Sequence, residues 1–240
     1  HLGTDGGLRL IKKLIAELQR LNISISLQEE MQSVDPEEKT ITTDKRTIGY
    51  NDLILAPGRR GFQFLQDIMN SLGVPYVDHI VDIGIRIETK LKNYPIVKDY
   101  YDPKFLFPDR VRTFCTNSGK AHVVKERYTS SRGQDYYSIN GHAYAKQGKD
   151  NGLVNFAMLK TIMLTEPLAS GQRYAEILGL QAMLMGGGQP MMQRIGDFRL
   201  GKRSKRETFN LDLYDFAPTL PGCTPGDISL AAPAKILRAI

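Results

Sequence analysis

Between residues 81 and 164 the sequence alternates apolar and polar side chains in five separate stretches, and this period of two constrains the fold more than any other feature. The stretches are residues 81–88, 110–116, 121–128, 136–144 and 156–164. Successive side chains of a strand point to opposite faces, so each stretch reads as a strand with one buried face. Asn117-Ser118-Gly119 and Ser131-Arg132-Gly133 separate successive stretches as hairpin loops would. The region is therefore expected to be β-rich, with antiparallel neighbours.

Helical periodicity flanks it on both sides, which makes the expected fold class α+β. Thr4 is a good N-cap, and Leu8, Ile11, Leu14, Ile15 and Leu18 follow at helical spacing, with Asp5 near the positive helix end. The helix gives way near Asn22 to residues 23–27, an alternating strand. Residues 40–43 and 46–50, joined at Asp44-Lys45, predict a hairpin. Residues 53–56 predict a short continuous apolar strand of a sheet covered on both faces, ended by Pro57-Gly58. Further helices are predicted over 62–72, stopped by Gly73 and Pro75, and over 172–185, closed by Gly186-Gly187-Gly188. A Pro/Gly-rich stretch, 218–226, leads into a final helical segment. No internal repeat is present.

A chain of 240 residues with 41% hydrophobic content buries a sizeable core, in one domain or two smaller ones. No apolar run is long enough for a transmembrane helix, and no basic-then-apolar leader is visible. Cys115 and Cys223 are far apart and fit a reducing cytoplasm, the expected location, with a single disulfide left open. The net charge of +6 is densest at Lys202-Arg203-Ser204-Lys205-Arg206. A solvated loop explains that stretch, and a phosphate-binding patch is the rival reading. No zinc-finger spacing or RNA-recognition signature accompanies it, so nucleic acid is not the expected partner. The first residue, His1, and an apolar-periodic stretch running out to Ile240 predict an excised piece of a longer protein.

Several residues carry potential chemistry. Cys115 reads either as a redox thiol near Arg112 or as a packed small hydrophobe, and it has no C-x-x-C partner. His142, in Asn140-Gly141-His142, reads either as a proton donor or as a hydrogen-bonding residue at a strand end. His79 and His122 have no metal-ligand spacing with each other or with the cysteines, so no metal site is expected. Arg86 and Glu88 share one strand face and predict an intrastrand charge pair; Arg194 and Asp197, one helical turn apart, predict a local salt bridge. Either arginine is also a candidate for binding an acidic substrate. No nucleophile elbow or Ser/His/Asp order argues for hydrolysis.

A series of motifs spans nearly the whole chain in a fixed order: His1-Leu2-Gly3-Thr4-Asp5, residues 53–58, Asp82-Ile83-Gly84-Ile85-Arg86-Ile87-Glu88, Arg112-Thr113-Phe114-Cys115 and Asn140-Gly141-His142-Ala143-Tyr144. Asn155-Phe156-Ala157, Gly186-Gly187-Gly188, residues 193–198 and residues 224–228 complete it. This series resembles the uncharacterised bacterial FAD-dependent dehydrogenases, two-domain flavoproteins of the wider glutathione-reductase-like group. The resemblance implies a partial, Rossmann-like FAD-binding segment over residues 1–58, a β-rich inserted substrate domain over 59–220, and a return segment over 221–240. It implies FAD as the cofactor of the whole protein and a small organic substrate. Ala56, Pro57 and Gly58 would face the cofactor, the backbone at Met31 would neighbour adenine, and His142 would serve as proton donor near the flavin.

The sequence also departs from that family. The family's G-x-G-x-x-G turn after a first strand, which holds the pyrophosphate, is not present. Gly186-Gly187-Gly188 follows a helical pattern and cannot replace it. Pro57 stands where the wider group usually has Thr. The piece is therefore expected to bind no FAD alone, to be inactive by itself, and to expose the edge of an incomplete sheet through which it can form a homodimer. The alternative is a non-enzymatic binding module whose basic loop contacts phosphates or nucleic acid.

Overall fold

The computed structural model of the chain describes residues 2–209 and 217–240. His1 of the first motif and residues 210–216 of the expected insert lie outside the described residues. The chain divides into two compact units, Leu10–Val77 and a larger one joining His1–Arg9 to Asp78–Ile240. Helices and strands are mixed throughout, an α+β composition.

Helix α1, Gly3–Arg20, forms as its periodicity dictates, with Asp5 in its first turn and Arg20 paired to Glu17 in its last. The smaller unit continues with β1 (Met31–Asp35), β2 (Thr40–Thr43) and β3 (Thr47–Gly49), an antiparallel sheet in that order. The β2–β3 hairpin matches expectation. It is anchored from outside by Glu29, whose carboxylate accepts from Thr43 Oγ1 at 2.9 Å and Arg46 Nε at 2.8 Å. Helix α2, Phe62–Ser71, ends before Gly73, which takes the left-handed φ of 65° that stops a helix cheaply only at glycine.

Two expected strands do not form. Residues 23–27 and 53–56 pair with no other strand of the described residues. Ile54, expected to be covered on both faces, is 91% exposed. A strand is stable only when its amides and carbonyls find a neighbouring strand, and apolar alternation supplies none of those bonds by itself.

In the larger unit β4 (Ile80–Lys90), β5 (Leu106–Phe107) and β6 (Val111–Gly119) precede a hairpin of β7 (Ala121–Thr129) and β8 (Asp135–Ala143). Strand β9, Leu153–Met163, then inserts between β4 and β6, giving the antiparallel order β4-β9-β6-β5. As the central strand it carries the core: Val154 and Asn155 are fully buried, with Leu153, Phe156 and Ala157 close behind. Burying a side chain such as Val154 contributes on the order of 1.5–3 kcal/mol. Gly84 of β4 lies so near β9 that a Cβ would strike the carbonyl of Met158, so this register requires glycine.

Only one of the two expected hairpin loops is a hairpin. Ser131-Arg132-Gly133 joins β7 to β8, which pair over their full length. Asn117-Ser118-Gly119 is instead the end of β6, still paired with β9, and β6 and β7 lie in different sheets. Asn117 side-chain bonds inside the sheet outweigh its turn preference.

Helix α3, Gly171–Met185, packs on β8, with Gly179 against the Tyr136 ring, and closes at Gly186. The short β10 (Met191–Met192) pairs in parallel with β11 (Thr224–Pro225), flanking α4 (Ile195–Arg199). The expected final helix is split into a 3₁₀ turn, Ile228–Leu230, and α5, Ala234–Leu237. Pro233 between them has no amide hydrogen to give and caps α5 instead.

Candidate functional site

Three register relations in the larger unit bring four of the motif stretches together. Arg86 and Glu88 of β4 lie beside Ala157 and Asn155 of β9, and Asn155 lies beside Asn117 of β6. Gly141 of β8 then lies over Arg86 and Asn155 so closely that a Cβ there would overlap Arg86 Nη2 and Asn155 Oδ1.

The centre of the cluster is a bulge. Between Phe114 and Asn117 strand β6 advances three residues while β9 advances from Ala157 to Asn155, leaving one residue of β6 unmatched. Cys115 absorbs it at φ 50°, a left-handed conformation that costs a non-glycine residue about 1–2 kcal/mol. Its carbonyl accepts from Arg86 Nη2 at 2.6 Å and Asn117 Nδ2 at 2.9 Å. Its thiol lies 3.9 Å from both Asn140 Oδ1 and the Gly141 carbonyl. Cys115 is thus a strained, half-buried residue and not an apolar packing unit of a regular strand.

Arg86 and Glu88 do not pair with each other as their shared face predicts. Arg86 gives Nε to Asn155 Oδ1 at 2.9 Å and Nη2 to the same oxygen at 2.7 Å. Burial lowers its pKa from the ordinary value, yet a guanidinium remains charged at any physiological pH. Glu88 turns to Thr219, accepting from its amide at 2.9 Å and from its hydroxyl, and Thr219 Oγ1 accepts from Val123 N. Asn155 Nδ2 is buried without a partner among the described residues. Asn155 was legible as the first residue of the motif Asn155-Phe156-Ala157 but with no role attached, and Asn117 was concealed by its place in an apparent turn.

His142 lies one residue beyond Gly141, opposite His122 on β7, with ring centroids 5.9 Å apart. Burial, then the neighbouring His122, lowers the His142 pKa below the ordinary 6.5, disfavouring the imidazolium. The Cys115 thiol thus reaches Asn140 and Gly141, whereas the next residue, His142, turns to the other face of β8 beside His122 and Tyr144. Cys223 stands elsewhere, 3.8 Å from Met192 Sδ, with its thiol pKa raised by burial, and both cysteines are free.

The candidate cofactor contacts belong to the smaller unit. Met31 opens β1, half-buried and paired with Thr43. Ala56, Pro57 and Gly58 are exposed, and Gly58, at φ 69°, precedes a 3₁₀ turn. A Cβ on Gly58 would meet nothing within 4 Å, so no cradle of backbone encloses this turn. The basic stretch is solvated: Lys202, Arg203, Lys205 and Arg206 are exposed around a buried Ser204, which donates to Asp197 at 2.6 Å. Among the described residues no helix is long and apolar enough to cross a membrane, and no three His, Cys, Asp or Glu side chains are grouped to hold a metal. No protein-family model matches the chain, and no curated protein matches it.

Proposed function

We propose that this chain carries the substrate-side β-domain of an FAD-dependent dehydrogenase acting on a small organic molecule. The observation that supports this reading is the convergence of four resembling motifs, through Arg86, Cys115, Asn140-Gly141 and Asn155, on one strained bulge, with His142 next in the chain. Such strain clusters at active sites because only a surrounding network built to hold it keeps it in place. In an enzyme of this class the redox chemistry belongs to the cofactor, and the protein supplies position and proton transfer.

Each residue then has a role. His142 takes a proton from the substrate in its neutral form. Arg86 and Asn117 hold the Cys115 carbonyl and with it the direction of the thiol, and Asn155 Oδ1 accepts from both of those donors. Residues 1–58 belong, in this reading, to a Rossmann-like FAD domain, and the unpaired stretches 23–27 and 53–56 await strands that the family carries and this chain does not. Apolar α1 side chains such as Ile11 and Leu14, at 53% and 50% exposure, give the isolated chain a surface for self-association.

Flavin content tests the reading. The complete gene product is expected to be yellow with near one FAD per chain and to reduce an artificial electron acceptor, while the 240-residue chain alone stays colourless after incubation with FAD. A complete gene product without flavin overturns it.

A further inference from the structure

His122 and His142 are direct cross-strand partners on β7 and β8. Directly opposed residues of an antiparallel pair hold their Cβ atoms about 4.5–5.5 Å apart and project to the same side. The buried Ala121 and Val123 take the opposite face of β7, so alternation sets the two imidazoles together on the other. Tyr144, two residues beyond His142, completes the group, with its ring centroid 5.0 Å from His142 and 6.0 Å from His122. All three are half-buried, and among the described residues no side chain or backbone group hydrogen-bonds to either imidazole.

We propose that His122 and His142 chelate one divalent transition-metal ion of the Ni²⁺, Cu²⁺ and Zn²⁺ class. Metal–nitrogen bonds of about 2.0–2.1 Å require the ring centroids of two imidazoles on one ion to stand about 4.5–6.5 Å apart, depending on the angle at the metal. The observed 5.9 Å lies within that span, and the edge-to-face rings turn on binding to bring one nitrogen of each onto the ion. The strands hold both donors before the ion arrives, which reduces the ordering cost of binding. Imidazole nitrogen favours these ions over Mg²⁺ or Ca²⁺, which prefer oxygen. Tyr144 walls one side of the pair, and the remaining coordination positions are left to water or a small solute. The inference rests on the β7–β8 geometry alone and stands whether or not the flavoprotein reading holds. A bound ion occupies the lone pair through which His142 would accept a proton, so metal and proton compete for it.

Ni²⁺ is the discriminating probe, because cysteine sulfur, as in Cys115 and Cys223, favours Zn²⁺ and Cu⁺ instead. His1 is a further imidazole, so the titration is made on the chain carrying His1→Ala. Calorimetry at neutral pH is expected to give one Ni²⁺ per chain and no Mg²⁺ binding. His122→Gln and His142→Gln should each weaken Ni²⁺ at least about tenfold, while His79→Gln leaves it unchanged. Paramagnetic Ni²⁺ should also broaden the amide signals of Val123 and Gly141 in the chain with both imidazoles intact, a readout that needs neither imidazole replaced. Affinity unchanged by both substitutions, loss on His79→Gln, or broadening centred elsewhere overturns the proposal.

Discussion

Arg86 donates from Nη2 to the backbone carbonyl of Cys115 at 2.6 Å, tying the middle of β4 to the one residue of β6 that the register leaves unmatched. The same guanidinium grips Asn155 Oδ1 through two nitrogens, so a single side chain fixes both the bulge and the buried amide beside it. The left-handed backbone at Cys115 is maintained by this network, not by the preference of cysteine.

Replacing Arg86 with Met should therefore destabilise the larger unit by about 1–3 kcal/mol, the cost of leaving buried acceptors without donors. Arg86→Lys keeps the charge but not the fork that reaches two acceptors at once, and should recover less than half of the loss. Urea unfolding measures both. A Lys variant as stable as the unsubstituted chain would show that charge alone matters.

Gly141→Ala tests the same cluster from the other side. Its Cβ would overlap both Arg86 and Asn155, and overpacking of this kind costs about 1–3 kcal/mol. Gly141→Ala combined with Arg86→Met should cost less than the sum of the two, because the second substitution clears the space that the first fills. Strict additivity in the unfolding free energies would contradict the packing described.

The long strands of the larger unit were legible in the sequence pattern, and β4, β7, β8 and β9 fall within three residues of where it places them, while the two-residue β5, β10 and β11 left no signal. Residues 23–27 and 53–56 carry equally good patterns and form no strand, since pairing depends on a neighbour and not on the segment. Cys115 and His142 were visible as residue types, and so was Arg86. What joined them was invisible: the bulge arises from a one-residue mismatch between β6 and β9, and no local signal in Phe114-Cys115-Thr116-Asn117 records a mismatch with a strand some 40 residues away. Asn117 was misread for a related reason, as its turn preference is local and its hydrogen bonds are not.

Acid should loosen the smaller unit through Glu29. Hydrogen bonds from Arg46 and then Thr43 draw its pKa from 4.5 to about 2. A carboxylate depressed on folding contributes its stability in full above its unfolded value and loses it as pH falls through the folded one. The β2–β3 hairpin should thus weaken between pH 4.5 and about 2, followed by the amide shifts of Thr43 and Arg46. Glu29→Gln should remove that slope, and a slope that persists in the variant would assign it to another carboxylate.

In the proposed flavoprotein the roles of His142 and Cys115 can be told apart by substitution. Burial and the proximity of His122 disfavour the imidazolium of His142, and the role proposed for it is that of a base. A base works only when unprotonated, and turnover should fall on the acid side, with a midpoint below the ordinary imidazole value of 6.5. Acid–base assistance is worth roughly 100- to 10,000-fold, so His142→Asn should lose at least about tenfold in turnover while keeping its flavin. The acid limb should vanish with it, a change that loss of packing alone would not cause. Cys115 acts differently if the strain at φ 50° is structural. Cys115→Gly should then relieve about 1 kcal/mol of backbone cost relative to Cys115→Ala, with turnover unchanged in both. Abolished turnover in both Cys115 variants, together with an intact acid limb in His142→Asn, would transfer the chemistry to the thiol.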